Sequence, residues 1–194
     1  MLFFAKGRWA LLAALFLVSA AQAQAGDRLA ALLRDCAGCH GADGDSTVPG
    51  TPSIAAQPKI FIENYLVMSR EGVRGPAAMQ ALLKGVPDKD LIALAVHYSR
   101  LKPKPLEARR DSKLFNRGKE IAAKNRCASC HEPSFRGREQ MPRLAGQRED
   151  FLAEVMLQYR HNRRPGGDTL MAAALYGIPE ADFKALAHYF SRLK

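Results

Sequence analysis

The pentapeptide Cys36-Ala37-Gly38-Cys39-His40 recurs as Cys127-Ala128-Ser129-Cys130-His131, and the two copies use all four cysteines of the chain. Cys-x-x-Cys-His is the attachment spacing of c-type haem. Two thiols so placed can form thioethers with the two vinyl groups of one porphyrin. The histidine follows at once, so its ring can turn beneath the iron as an axial ligand. Three other chemistries use paired cysteines. A structural zinc site brings its second pair within about 15–20 residues, whereas Cys39 and Cys127 lie 88 positions apart. A thioredoxin-like redox motif sits in a βαβ pattern, and no strand-like alternation flanks either copy. A disulfide framework suits an exported chain but gives no reason for a histidine at the same place twice. The expected cofactors are therefore two covalently bound haem c groups, held through Cys36, Cys39, Cys127 and Cys130, with His40 and His131 on the irons.

The segments that must position these motifs are duplicated. Pro52-Ser53-Ile54-Ala55-Ala56-Gln57 matches Pro142-Arg143-Leu144-Ala145-Gly146-Gln147 at an offset of 90, and Phe61 matches Phe151. Val86 to Lys102 reads against Ile178 to Lys194 at an offset of 92, with nine identities in seventeen positions. Offsets this constant leave room only for small loop insertions. The expected organisation is a signal peptide over 1–25, a first domain over 26–102, a linker over 103–112 and a second domain over 113–194. Domains this small bury a modest core and usually need a staple, which a covalently held porphyrin would supply.

The periodicity predicts an all-α fold. Leu29, Leu32 and Leu33 recur at helical spacing in Asp27 to Cys36, as do Ile60, Phe61, Tyr65 and Met68 in Lys59 to Arg70. Asp88 to Leu101 starts acidic and ends basic, as the helix dipole favours. The same three helices are expected again near 113–126, 148–161 and 180–193, with irregular chain between each haem motif and the helix after it. Lys102-Pro103-Lys104-Pro105 reads as a stiff, extended connector.

A second iron ligand would close each haem. Histidine with methionine raises the potential and suits electron transfer rather than ligand binding. Beyond the initiator the methionines are Met68, Met79, Met141, Met156 and Met171, and only Met79 and Met171 coincide under the repeat. Met79 lies 39 residues past His40 and Met171 lies 40 past His131. The metal ligands are therefore expected to be His40 with Met79 and His131 with Met171, and the other methionines to pack as flexible apolar side chains. His97, His161 and His188 have no partner under the repeat and are read as helix-surface residues.

At these residues the chain resembles the dihaem cytochrome c4 group of class I cytochromes c. The resemblance covers nearly the whole chain after residue 25. It implies two tandem homologous class I domains, each packed around one covalent haem, arranged as a pseudo-twofold pair with haem edges facing. It implies that the carbonyls of Pro52 and Pro142 orient the axial histidines. It also implies single-electron shuttling rather than catalysis. Two departures stand out. His131 is followed by Glu132, where His40 is followed by Gly41. A tyrosine expected early in the second helix is Phe61 in one half and Phe151 in the other. Gln57, Gln147, Arg70 and Arg160 are then the candidates to meet the haem propionates.

The N-terminus carries Lys6 and Arg8, an apolar run from Trp9 to Val18, and small residues through Ala25, which is a secretory signal pattern. The apolar run is shorter than the roughly 20 residues a membrane span needs. Export to the periplasm by a cleaved signal is the expectation. Formal net charge is +10, or +8 without Lys6 and Arg8. A basic exported protein suits redox partners with acidic docking surfaces, a membrane-bound oxidase, or peripheral contact with anionic lipid. Export and the lack of a recognition motif argue against nucleic acid. The leading function is a free periplasmic electron carrier between respiratory donors and a terminal oxidase. The alternative is the dihaem cytochrome subunit of a periplasmic dehydrogenase, such as a flavocytochrome c sulfide dehydrogenase. A dihaem peroxidase would need an open haem.

Overall fold

The computed structural model describes residues 26–104 and 109–194. The expected signal peptide and the middle of the linker lie outside the described residues. Nine α-helices follow in order among them: α1 (26–40), α2 (Lys59–Arg70), α3 (Ala77–Leu83), α4 (Asp88–Arg100), α5 (Ser112–Lys124), α6 (Ala128–His131), α7 (Glu149–Arg160), α8 (Thr169–Leu175) and α9 (Phe183–Ser191). One 3-10 turn, Glu180–Asp182, leads into α9. Among the described residues no strand forms, only an isolated bridge between Arg138 and Met141. No described helix is long and apolar enough to cross a membrane.

Two separate cores follow from the two sets of helical stripes. Leu32, Leu66, Leu83, Leu91, Leu94 and Tyr98 centre the first, within residues 26–104. Ile121, Leu152, Met156, Phe183, Leu186 and Phe190 centre the second. The longer helices stand close to their predicted bounds. The short helices α3 and α8 were not anticipated, and neither was the continuation of α1 over the whole first haem motif. The second half breaks that continuity. Asn125 turns its side chain back to donate to the Ile121 carbonyl at 2.8 Å, and Arg126 takes a φ of +54°, so α5 stops before α6 begins.

The loop after each motif has one backbone path and two sequences. Gly41 has a φ of +81°, and a Cβ there would stand 2.5 Å from the Asp45 carbonyl oxygen. Glu132, at the matching place, adopts the same left-handed region at +67° without being glycine. Three residues on, Gly44 and Phe135 repeat the pattern at +78° and +55°. Their carbonyls each accept two N–H groups, from Ile54 and Ala55 in the first half and from Leu144 and Ala145 in the second. Ala56 N–H then bonds the Tyr98 carbonyl, and Gly146 N–H the Phe190 carbonyl, each at 3.0 Å. Each loop is thereby fastened to the last helix of its own half.

His188 corrects its surface reading. It is 3 % exposed, and its Nε2 accepts from the Asp111 N–H at 3.0 Å. Its Nδ1 donates to Glu149, which also holds Arg192. It therefore ties the end of the linker to α7 and α9. Asp111 in turn caps α5 by accepting from the N–H groups of Lys113 and Leu114.

Helix α5 crosses α9 in close contact at Gly118. A Cβ on Gly118 would stand 2.6 Å from Tyr189 Cβ and would overlap the Ala185 carbonyl. Backbone cannot yield as a flexible side chain can, so Gly118→Ala must separate the helices. Guanidinium unfolding of the second half should show a loss of about 1–3 kcal/mol.

Candidate functional site

His40 ends α1 and His131 ends α6. Both rings are buried, at 8 % and 7 % exposure. His40 Nδ1 lies 2.9 Å from the Pro52 carbonyl oxygen, and His131 Nδ1 lies 3.0 Å from that of Pro142. A carbonyl only accepts, so each Nδ1 carries the proton. Nε2 is then the atom left with a free lone pair in both rings. Burial pulls both imidazoles below the usual histidine range, and the carbonyl bond opposes this only in part. Each ring is therefore held neutral, in one tautomer and one orientation, as a metal-binding imidazole must be.

Cys36 and Cys127 lack the lowered thiol pKa of redox-active cysteines. All four are free; Cys36 is buried, Cys127 half-buried, and Cys39 and Cys130 are exposed. Burial pushes the Cys36 and Cys127 thiols up, although Tyr98 hydrogen-bonds Cys36 and opposes the rise. Zinc-binding and catalytic thiols move the other way. Among the described residues no three His, Cys, Asp or Glu side chains gather as a metal cluster. Ser46 Oγ donates to the Cys39 carbonyl at 2.9 Å and braces the first motif against its loop. Thiols at the core edge, paired with a surface thiol and a neutral histidine, fit a covalently held porphyrin.

Met79 stands on α3 and Met171 on α8, each packed at the margin of its own core. The other methionines are placed differently. Met156 is 4 % exposed inside the second core. Met68 and Met141 line a cavity of about 240 Å³ between the halves, together with Tyr65 and Arg74. Arg70 and Arg160 both have protein partners. Arg70 donates to the Val86 carbonyl at 2.9 Å and to Asp88 at 2.6 Å. Arg160 donates to the carbonyls of Leu175 and Ile178. Both arginines thus pin the chain that follows a methionine back to the end of the preceding long helix.

Gln57 and Gln147 also have protein partners, and these were not legible from the repeat alone. Gln147 Oε1 accepts from the Ser53 N–H at 2.8 Å while its Nε2 donates to the Ser53 carbonyl at 2.7 Å. In mirror image, Gln57 Oε1 accepts from the Arg143 N–H at 2.9 Å and its Nε2 donates to the Arg143 carbonyl at 3.0 Å. All four bonds are buried and cross between the halves. Around them, Asp150 accepts from the Gly50 N–H at 2.8 Å, Arg148 donates to the Ser46 carbonyl, and Arg74 reaches the Tyr159 hydroxyl.

This arrangement has counterparts among known proteins. The family profile for cytochrome c matches residues 115–194. Cytochrome c4 of Stutzerimonas stutzeri is 30 % identical over 193 residues, covering 90 % of each chain. The chain belongs to the cytochrome c4 family. Cytochrome c4 of Pseudomonas aeruginosa is 29 % identical over 184 residues, again covering 90 % of each chain. The crystal structure of reduced recombinant cytochrome c4 from Pseudomonas stutzeri superposes with a TM-score of 0.75 at 26 % identity, covering 82 % of this chain and 93 % of that one. A thiosulfate dehydrogenase electron acceptor from Thiomonas intermedia is 29 % identical over 167 residues, covering 80 % of this chain and 77 % of its own. Membership of the cytochrome c4 family makes the two halves class I cytochrome c domains. It implies covalent haem c and makes the protein an electron carrier rather than an enzyme.

The arginine tethers can be tested without reference to the haem. Arg160→Met leaves the buried carbonyls of Leu175 and Ile178 without that donor. Chemical denaturation should show a loss of about 1–3 kcal/mol, with faster amide exchange concentrated in residues 169–178.

Proposed function

We propose that the protein is a periplasmic dihaem carrier that passes single electrons from respiratory donors to a terminal oxidase or a similar acceptor. Cys36 and Cys39 would hold one haem and Cys127 and Cys130 the other. His40 with Met79 would bind the first iron, and His131 with Met171 the second. When bound, each haem supplies one reversible ferric/ferrous couple. The chain's own part is to keep that couple and nothing else. Burial holds the two imidazoles neutral, and the proline carbonyls fix the tautomer that leaves Nε2 free. The methionine-bearing helices, pinned by Arg70 and Arg160, would each offer a thioether as the second ligand. Two protein ligands per iron would leave no open position for bond-making chemistry, so the chain would support electron transfer alone. The observation that carries this reading is the twofold recurrence of buried neutral histidine and core-margin methionine on matched elements.

The ligand assignment predicts a spectroscopic result. Met79→Ala and Met171→Ala should each remove about half of the weak sulfur-to-iron absorption band of the oxidised protein and open one iron to carbon monoxide. A full band in Met79→Ala would sink that assignment and point to Met68. Release of all haem by acid-acetone from the wild type would refute the thioether attachment.

Docking should be brief and charge-dependent. Transient electron-transfer interfaces are small, and a chain near +8 without Lys6 and Arg8 attracts acidic surfaces. Electron transfer to an acidic partner should therefore slow as ionic strength rises, because charges more than about 10 Å apart are screened at 0.1 M salt. Stopped-flow rates that ignore salt would overturn this.

The Thiomonas intermedia relative favours one second reading: service as the electron acceptor of a dehydrogenase. Stable co-purification of a dehydrogenase subunit with this chain would select it over the free carrier.

A further inference from the structure

Each candidate axial histidine is linked to the opposite domain through a single amide. The carbonyl of Pro52 and the N–H of Ser53 belong to one planar peptide group. Its oxygen accepts from His40 Nδ1 at 2.9 Å, and its N–H donates to Gln147 Oε1 at 2.8 Å. The Pro142–Arg143 peptide does the same in the other domain. Its oxygen accepts from His131 Nδ1 at 3.0 Å, and its N–H donates to Gln57 Oε1 at 2.9 Å.

We propose that Gln57 and Gln147 are positioning residues acting across the domain boundary. Gln147 sets the donor strength of His40, and Gln57 sets that of His131. The proposal rests on the ligand assignment above and extends it. Hydrogen bonds in a chain polarise one another. An acceptor on the peptide N–H moves electron density toward the carbonyl oxygen, which then accepts the histidine proton more strongly. An imidazole that gives more of its Nδ1 proton away is a better electron donor at Nε2. A better donor favours the ferric state and lowers the potential.

The geometry leaves little freedom in this chain. Each glutamine is 5 % exposed, so water cannot replace it. Its amide grips residue 53 or 143 at two points, so a flipped amide would set oxygen against oxygen and N–H against N–H. Gln147 Oε1 also accepts from the Arg148 N–H at 2.9 Å, within its own domain. Ser53 and Arg143 have unlike side chains at matching positions, yet both peptides are held alike. The grip reads backbone, which is what a device aimed at the Pro52 and Pro142 carbonyls requires.

The test uses the full holoprotein, with haem content checked by the pyridine haemochrome spectrum. Gln147→Met and Gln57→Met keep length and remove the acceptor. Haem-by-haem potentials and ferric haem-methyl NMR shifts are the readouts. Gln147→Met should raise the potential and move the methyl shifts of the His40 haem, in the domain that does not contain the substitution, and move the His131 haem less. Gln57→Met should give the mirror result. Gln147→Glu, buried as the neutral acid with its second oxygen donating to the Ser53 carbonyl, retains the acceptor and should hold the His40 haem at the wild-type value. Asp150→Ala breaks the Gly50 contact in the same interface but touches neither peptide, and should leave the difference between the two haems unchanged. Equal movement of both haems, movement only of the haem in the substituted domain, or no movement would overturn the proposal. If one methionine variant fails to fold, its mirror variant and Gln147→Glu decide. Loss of covalent haem from the wild type would instead remove the ligand assignment beneath it.

Discussion

Burying the motif histidines without charging them requires an acceptor for one ring nitrogen, and in both domains that acceptor is a proline carbonyl. Much of the surrounding backbone serves to bring that oxygen into place. The chain must turn sharply after each histidine, and it does so through left-handed residues at Gly41 and Glu132. It must then return to the ring, and the carbonyls of Gly44 and Phe135 hold the returning strand of loop by two N–H groups each. The last helix fixes the far end of the loop. Remove the histidine–carbonyl bond and these features lose their common purpose, because the core itself is made by other residues.

The duplication shows which of these demands are geometric and which are chemical. Glu132, at φ +67° and ψ 158°, accepts a conformation that glycine adopts at little cost, a strain of about 1–3 kcal/mol. The second domain tolerates it, which indicates that the turn matters more than the residue. The first helix of each domain shows the opposite freedom. It runs unbroken over 26–40 in one and splits at Asn125 and Arg126 in the other, yet both deliver a buried histidine to a proline oxygen.

Much of this was legible in the sequence, for physical reasons. The long helices declare themselves because an amphipathic stripe repeats over three turns. The two Cys-x-x-Cys-His motifs and the paired methionines stand out because each recurs at a matched place in both halves. The short helices α3 and α8 escaped because seven residues make too few turns for a stripe to register. Asp168, which caps α8 from its side chain, and the Ala- and Leu-rich runs were the signals available. The repeat says nothing of His188's burial, because α9 is buried over nearly its whole length while the matching position carries Val96. Gln57 and Gln147 were visible as repeated residues, but their partners are backbone atoms of the other domain. No side-chain pattern encodes such a contact.

The glutamine contacts have a consequence for how such a chain can arise. Each domain carries both parts of the clasp, a glutamine and the peptide that receives the other domain's glutamine. A surface of that kind is self-complementary, so two copies of a single domain could meet about a twofold axis and make the same bonds. Joining the copies end to end needs no new interface. It converts a concentration-dependent association into an intramolecular one, and it releases the two copies to drift apart, as Ser53 and Arg143 have.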